Sequence, residues 1–233
     1  MERHDTLILM GKAPVPGTVK TRLCPPLSAR EAAAFYTCLL EDTAEEAGRL
    51  RGVRRYIFFA PAEGEAYFRA GPFSAFHLHP QAGSDLGERM EMATLVAFAG
   101  GARRVVVIGA DCPALSGDLI RSAFRELSND AGAVFGPAKD GGYYLVGVGE
   151  PAPFLFSGIE WGAPTVLETS LSRCRDAGIQ YALLPGKSDV DTAQDLVSLR
   201  RWARAHARPP CPRTRLWLRD HLPALTSSGR GVS

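Results

Sequence analysis

Apolar runs recur along the chain, separated by stretches with helical spacing of hydrophobic positions. Leu7-Ile8-Leu9-Met10-Gly11 is uninterrupted and ends on a glycine, the pattern of a strand buried on both faces of a parallel sheet. Pro14, Pro16 and Gly17 then force a loop, and Ser28 can cap an alanine-rich helix running through Ala32, Ala33 and Leu39 to about Gly48. Arg55 to Ala60 predicts a second strand, Phe73 to Leu78 a third, and Leu86 to Ala99 a helix. Val105-Val106-Val107-Ile108-Gly109 is the clearest central strand, followed by a helix from about Ser116. Ala133 to Pro137 and Tyr143 to Val148 predict two strands joined closely enough for a hairpin or a sheet corner. A helix from Thr165 to Asp176, a strand from Ile179 to Leu184 and a helix from Ala193 to His206 complete the series.

This alternation predicts an α/β fold with a central, mostly parallel sheet flanked by helices. Its 233 residues suit one domain, expected over 1–222, with the serine- and glycine-rich end at 223–233 expected to be a flexible tail. A net charge of +2 argues against a general nucleic-acid binder, so attraction for anions must come from locally placed cations. The five cysteines are odd in number and show no zinc-type spacing, which fits reduced thiols in a cytoplasmic protein. No apolar run is long enough to span a bilayer.

Candidate chemistry gathers where strands end. After the first strand, Gly11 and Lys12 lead into a loop carrying Lys20 and Arg22 among Pro14, Pro16, Gly17 and Thr18. Cations on a restrained loop suit phosphate, although the loop is not a Walker sequence. The central strand ends in Gly109-Ala110-Asp111-Cys112-Pro113, which places a carboxylate where ligands bind in open α/β sheets and where Mg²⁺ or Mn²⁺ finds a hard oxygen. Ser188-Asp189-Val190-Asp191-Thr192 is a second acidic loop between a strand and a helix. Asp189 and Asp191 alternate in direction if extended, so one is expected to face the site and the other to brace the helix; Asp191 is taken as the metal ligand with Asp111. Gln81, Gly83, Leu86 and Gly87 form a glycine-containing helix entry suited to a base or phosphate. In Lys139-Asp140-Gly141-Gly142-Tyr143-Tyr144, paired glycines permit close approach of a ligand, though the same residues also make a good hairpin turn. His77 and His79 share a strand face but have no third ligand nearby, and no nucleophile elbow is present.

Together, Lys12 to Leu23, Gly109 to Pro113, Asp140 to Gly147 and Asp189 to Thr192 resemble a bacterial family of GT-A-type transferases. That family is described as arsenosugar-biosynthesis glycosyltransferase, or radical-SAM/selenodomain-associated transferase. The resemblance implies a single-domain, Rossmann-like, nucleotide-diphospho-sugar transferase fold. A more distant resemblance is to guanylyltransferases of deazaflavin-cofactor synthesis, which share a Lys-x-Arg-Leu-like loop and an Asp-x-Pro-like metal turn. Many metal-dependent glycosyltransferases carry Asp-x-Asp, whereas Pro113 stands here in place of the second aspartate. The resemblances imply a nucleotide sugar or a nucleoside triphosphate as donor and a small-molecule acceptor. Lys12, Lys20 and Arg22 are then expected on phosphates, with Lys20, Asp111 and Asp140 catalytic and Asp140 the candidate base. Asp140, Gly141, Gly142 and Tyr143 are expected to hold the acceptor. Glycosyl transfer is the leading expectation, nucleotidyl transfer with release of pyrophosphate the second, and nucleotide binding without catalysis the third.

Overall fold

A computed structural model describes residues 3–227, the side chains as far as 221. The first strand, β1 (His4–Lys12), leads through the proline-rich loop to helix α1 (Ala29–Gly48), whose start is fixed by a capping box between Ser28 and Glu31. Next come β2 (Val53–Ala60), the short α2 (Glu65–Phe68), β3 (His77–Pro80) and α3 (Leu86–Ala99). The central strand β4 (Ala102–Ile108) precedes α4 (Gly117–Ser128), capped by Ser116. The chain continues through β5 (Ala133–Pro137), β6 (Tyr143–Val148), α5 (Val166–Asp176), β7 (Tyr181–Leu183), α6 (Ala193–Ala205) and α7 (Pro212–Ser227).

The seven strands form one sheet in the order β3-β2-β1-β4-β6-β5-β7. Only β6 runs antiparallel to its neighbours; it lies between β4 and β5, so the close pair is a hairpin built into the sheet. Strands β1 and β4 are parallel neighbours from which the chain departs in opposite directions, toward β2 and toward β6. Such a switch point leaves a crevice outside the carboxyl ends of the two strands.

Burial on both faces explains the uninterrupted apolar runs. Leu7, Leu9, Ile57, Val106 and Ile108 pack with α1 and α4 on one face; Ile8, Phe58, Val105, Val107 and Val146 pack with α3 and α5 on the other. A third cluster, with Phe35 and Leu39 of α1, Leu196 and Leu199 of α6 and Trp217 and Leu218 of α7, seats the last two helices on α1. No helix among the described residues is long and apolar enough to cross a membrane, and the five cysteines are free thiols.

Several local expectations change. The third strand covers His77–Pro80 and not Phe73 to Leu78, because Gly71–Phe73 forms a tight turn that inserts Phe73 against Tyr67 and Phe68. Pro80 is tolerated because β3 is an edge strand. The rings of His77 and His79 lie against Tyr56, and His79 also stacks on Phe58. The strand expected over Ile179 to Leu184 shortens to Tyr181–Leu183. Helix α7 occupies most of the proline-containing tail; of the stretch expected to be flexible, 223–227 continue that helix and 228–233 lie outside the described residues.

Candidate active site

A cleft of about 580 Å³ opens outside the carboxyl ends of β1 and β4. Its walls include Gly11, Lys12, Lys20, Arg22, Gln81, Leu86, Asp111, Asp140, Gly142, Tyr143, Asp189 and Asp191. Residues far apart in sequence thus meet where the sheet topology opens a crevice.

At its centre stands Lys20. The ammonium lies 2.6 Å from Asp111 Oδ1 and donates to Asp191 Oδ1 at 2.9 Å and to the Val190 carbonyl at 2.7 Å. Three partners match its three protons. Only 4% of the lysine side chain is exposed, against 50% for Asp111 and 40% for Asp191. Burial by itself would favour loss of the proton; the two carboxylates outweigh it and hold Lys20 above the usual lysine value. In this arrangement the ammonium is the internal counter-ion of two acidic loops and has no proton left for a phosphate. Lys20 also sits at φ 48° and ψ 36°, the left-handed region that residues with a Cβ seldom occupy.

The remaining cations of the first loop are free of such a clamp. Arg22 is 73% exposed, with its nearest carboxylate oxygen, on Asp191, at 3.9 Å. Lys12 is exposed, and its backbone amide donates to the Tyr36 hydroxyl, which fixes the loop's exit from β1. Tyr36 lines the cleft and was not signalled by sequence, since in α1 it reads as one more core aromatic.

Both Asp189 and Asp191 line the cleft, so the expectation that one of them braces the following helix is corrected: Thr192 and Asp195 make the capping box of α6. Asp189 Oδ1 is buried without a hydrogen-bond partner. Burial, then the charges of Asp111 and Asp140, push its carboxyl up to about 7. The donor set fits a hard divalent cation: two carboxylates from two loops converge on one point, and Mg²⁺ commonly needs no more than that when water and phosphate complete its shell. No group of three or more His, Cys, Asp or Glu suited to a metal occurs among the described residues.

The glycine-containing helix entry divides between cleft and scaffold. Gln81 lines the cleft, and its side-chain amide donates to the carbonyls of Gly11 and Phe58, tying the ends of β1 and β2 together. Leu86 also lines it, whereas Gly83 and Gly87 do not. Gly87 is required by close packing, for a Cβ there would collide with the Phe156 carbonyl and the Trp161 indole.

On the far side, Asp140 accepts from the Gly142 amide at 3.0 Å, the local bond of a turn, and remains exposed beside the cleft. Gly141 faces away; at φ 91° its missing Cβ makes room for the Pro164 carbonyl. Tyr143 lines the cleft, its ring edge-on to Trp161 and its hydroxyl buried. Trp161 is a second lining residue that sequence reading missed, because it lies in a loop without a motif. Burial pushes the Cys112 thiol up to about 12, so the thiol between Asp111 and Pro113 is no nucleophile at neutral pH.

Residues 43–163, just over half of the chain, match the model of a family described as "Uncharacterized protein conserved in bacteria (DUF2064)". The chain belongs to the DUF2064 family. That match includes Asp111 and Asp140, while Lys20 and Asp191 lie outside it. The crystal structure of a Desulfovibrio desulfuricans protein, provisionally named a nucleotide-diphospho-sugar transferase, is 34% identical with a TM-score of 0.87, covering 95% of this DUF2064 chain and 97% of that one. A cytidylyltransferase from Leptospira borgpetersenii superposes with a TM-score of 0.57 at 10% identity, over 98% of this chain and 96% of its own. CMP:2-keto-3-deoxy-manno-octonic acid synthetase, complexed with CTP, gives 0.51 at 11% identity over 86% and 99%. At such identities the last two share the fold alone. No curated protein matches the sequence significantly.

Proposed function

We propose that this DUF2064 protein is a metal-dependent transferase that binds a nucleotide-activated donor and passes its glycosyl group to a small acceptor. The observation that carries the reading is the meeting of the first loop's cations with Asp111 and Asp191 in one cleft at the β1/β4 switch point. The resemblance to a protein named for nucleotide-diphospho-sugar transfer supports the donor class.

In this reading Arg22 and Lys12 receive the donor phosphates, Arg22 through a guanidinium suited to paired oxygens. The base lies toward Gln81 and Leu86. A divalent cation on Asp111 and Asp191 would supply charge opposite the departing phosphate. Asp140, exposed at the cleft's other side, takes the acceptor's proton, and Gly142 and the Tyr143 ring shape the acceptor space. Gly141, Gly83 and Gly87 serve the backbone geometry behind these contacts.

Nucleotidyl transfer is the second reading, favoured by the proline at position 113 and by the shared fold of the cytidylyltransferases. The leaving group separates the two. With Mn²⁺, panels of nucleotide sugars and nucleoside triphosphates, and candidate small acceptors, mass spectrometry is expected to find acceptor-dependent release of a nucleoside diphosphate. Acceptor-dependent pyrophosphate from a triphosphate would replace glycosyl transfer with the second reading.

A further inference from the structure

The Lys20 ammonium stands where the two candidate metal ligands converge. Its partners, Asp111 Oδ1, Asp191 Oδ1 and the Val190 carbonyl, are oxygens of the kind a hard cation takes. A lysine nitrogen and a divalent ion cannot occupy that point together, since both need the same oxygens and their charges repel. We infer that Lys20 is an exchangeable occupant of the metal position: a divalent cation arriving at Asp111 and Asp191 displaces the ammonium, which then becomes the cation that meets the donor phosphates. This rests on the donor-binding reading proposed above.

Three further observations point the same way. The left-handed backbone at Lys20 is unfavourable for a residue with a Cβ, so the clamp holds the loop in a conformation it can leave once the ammonium is released. Gly17, three residues earlier, stands at φ 84° with open space where a Cβ would be, so nothing packs against that face of the turn. Asp189 Oδ1 lies buried without a hydrogen-bond partner in the same cleft, an acceptor of the acidic loop that the lysine leaves unused. In the metal-free protein the lysine keeps the acidic loops together; in the loaded protein it is free to serve the substrate. Metal and donor then bind cooperatively, each raising the affinity of the other by the same factor.

The test is Mn²⁺ binding without nucleotide, followed by the paramagnetic signal of the free ion, in the wild type and in Lys20→Met. The variant is expected to bind Mn²⁺ about tenfold or more tightly, because no ammonium has to be displaced. Adding a nucleoside diphosphate should tighten Mn²⁺ strongly in the wild type and clearly less in the variant. Equal or weaker Mn²⁺ binding by the variant would overturn the exchange, and equal tightening by nucleotide would overturn the coupling. If neither protein binds nucleotide while the variant still gains Mn²⁺ affinity, the donor reading fails and the exchange stands. Removing the lysine leaves two carboxylates facing each other, so thermal unfolding is measured in parallel, with Lys20→Gln as a second variant that keeps a hydrogen-bond donor. Both should lose stability without Mn²⁺ and regain more of it than the wild type on adding the ion. A variant that Mn²⁺ does not restore overturns the proposal.

Discussion

Single charged residues in the cleft have different tasks according to how many partners each already has. Lys20 is fully committed to two carboxylates and a carbonyl, whereas Arg22, two residues further on, is largely exposed with no carboxylate closer than 3.9 Å. Arg22 is therefore the first cation of the loop that a phosphate meets. Arg22→Ala is expected to weaken nucleoside diphosphate binding roughly tenfold, the scale of one charge-assisted hydrogen bond, and to leave nucleoside binding unchanged. Calorimetry on the pair of ligands checks this, since a change shared equally by both would place Arg22 outside the phosphate site. Asp111 was legible in the sequence because it lies just past a buried strand, and Lys20, Arg22 and Asp191 because they are charged residues of loops that follow strands. Their pairing was not: the lysine and Asp191 are separated by 171 positions, and local sequence does not say whether a loop cation faces a ligand or another loop. Asp189 was seen but misread for the same reason, its burial being set by the fold around it.

Elements were readable where burial on both faces leaves an unbroken apolar run, as in β1 and β4, or where a cap and helical spacing agree, as in α1 and α3. They were not readable where long-range contacts decide. Helix α7 hides among prolines, yet Pro212 sits at its first turn, where a proline costs no hydrogen bond. Its start is satisfied from another helix: Asp42 of α1 accepts from the backbone amides of Arg213 and Thr214 and from the Thr214 hydroxyl at 3.1, 2.9 and 2.8 Å. A buried carboxylate at a helix N-terminus meets both the orphan amides and the positive end of the helix dipole. Mid-helix in the sequence, Asp42 looks like any exposed acidic residue. Asp42→Ala is expected to destabilise the protein by about 3 kcal/mol, because Thr214, itself fully buried, loses its partner. Denaturant unfolding gives the magnitude. Hydrogen exchange should show faster exchange along α7 before the sheet responds; protection lost evenly throughout would mean that Asp42 does not hold this helix in particular.

Across the whole molecule, the two ends of the sheet divide the work. The carboxyl ends of β1 and β4 open into the cleft, and the amino ends of the same strands are stapled together by Asp5. Its carboxylate lies 2.8 Å from the Arg103 Nε and 2.7 Å from the Arg104 Nη2, and Arg104 also reaches the Phe124 carbonyl of α4. Burial would raise the Asp5 carboxyl, but the two guanidiniums outweigh it and hold the group below its ordinary 3.8. The sign follows from proton binding: the unfolded chain takes up the Asp5 proton more readily than the folded one. The contribution of Asp5 is thus complete above about pH 4 and fades as the pH falls through the lower, folded value. Asp5→Asn keeps the shape and removes the charge. With Asp5 and Arg104 only 13% and 12% exposed, solvent screening is limited, and the variant is expected to be less stable by about 2 kcal/mol at pH 7. Urea unfolding of both proteins from pH 7 to pH 3 should show that gap closing below pH 4, while Mn²⁺ and nucleotide affinities at pH 7 stay as in the wild type. A gap independent of pH would trace the loss to packing instead of charge. A change in ligand affinity would mean that the staple at one end of the sheet governs the cleft at the other.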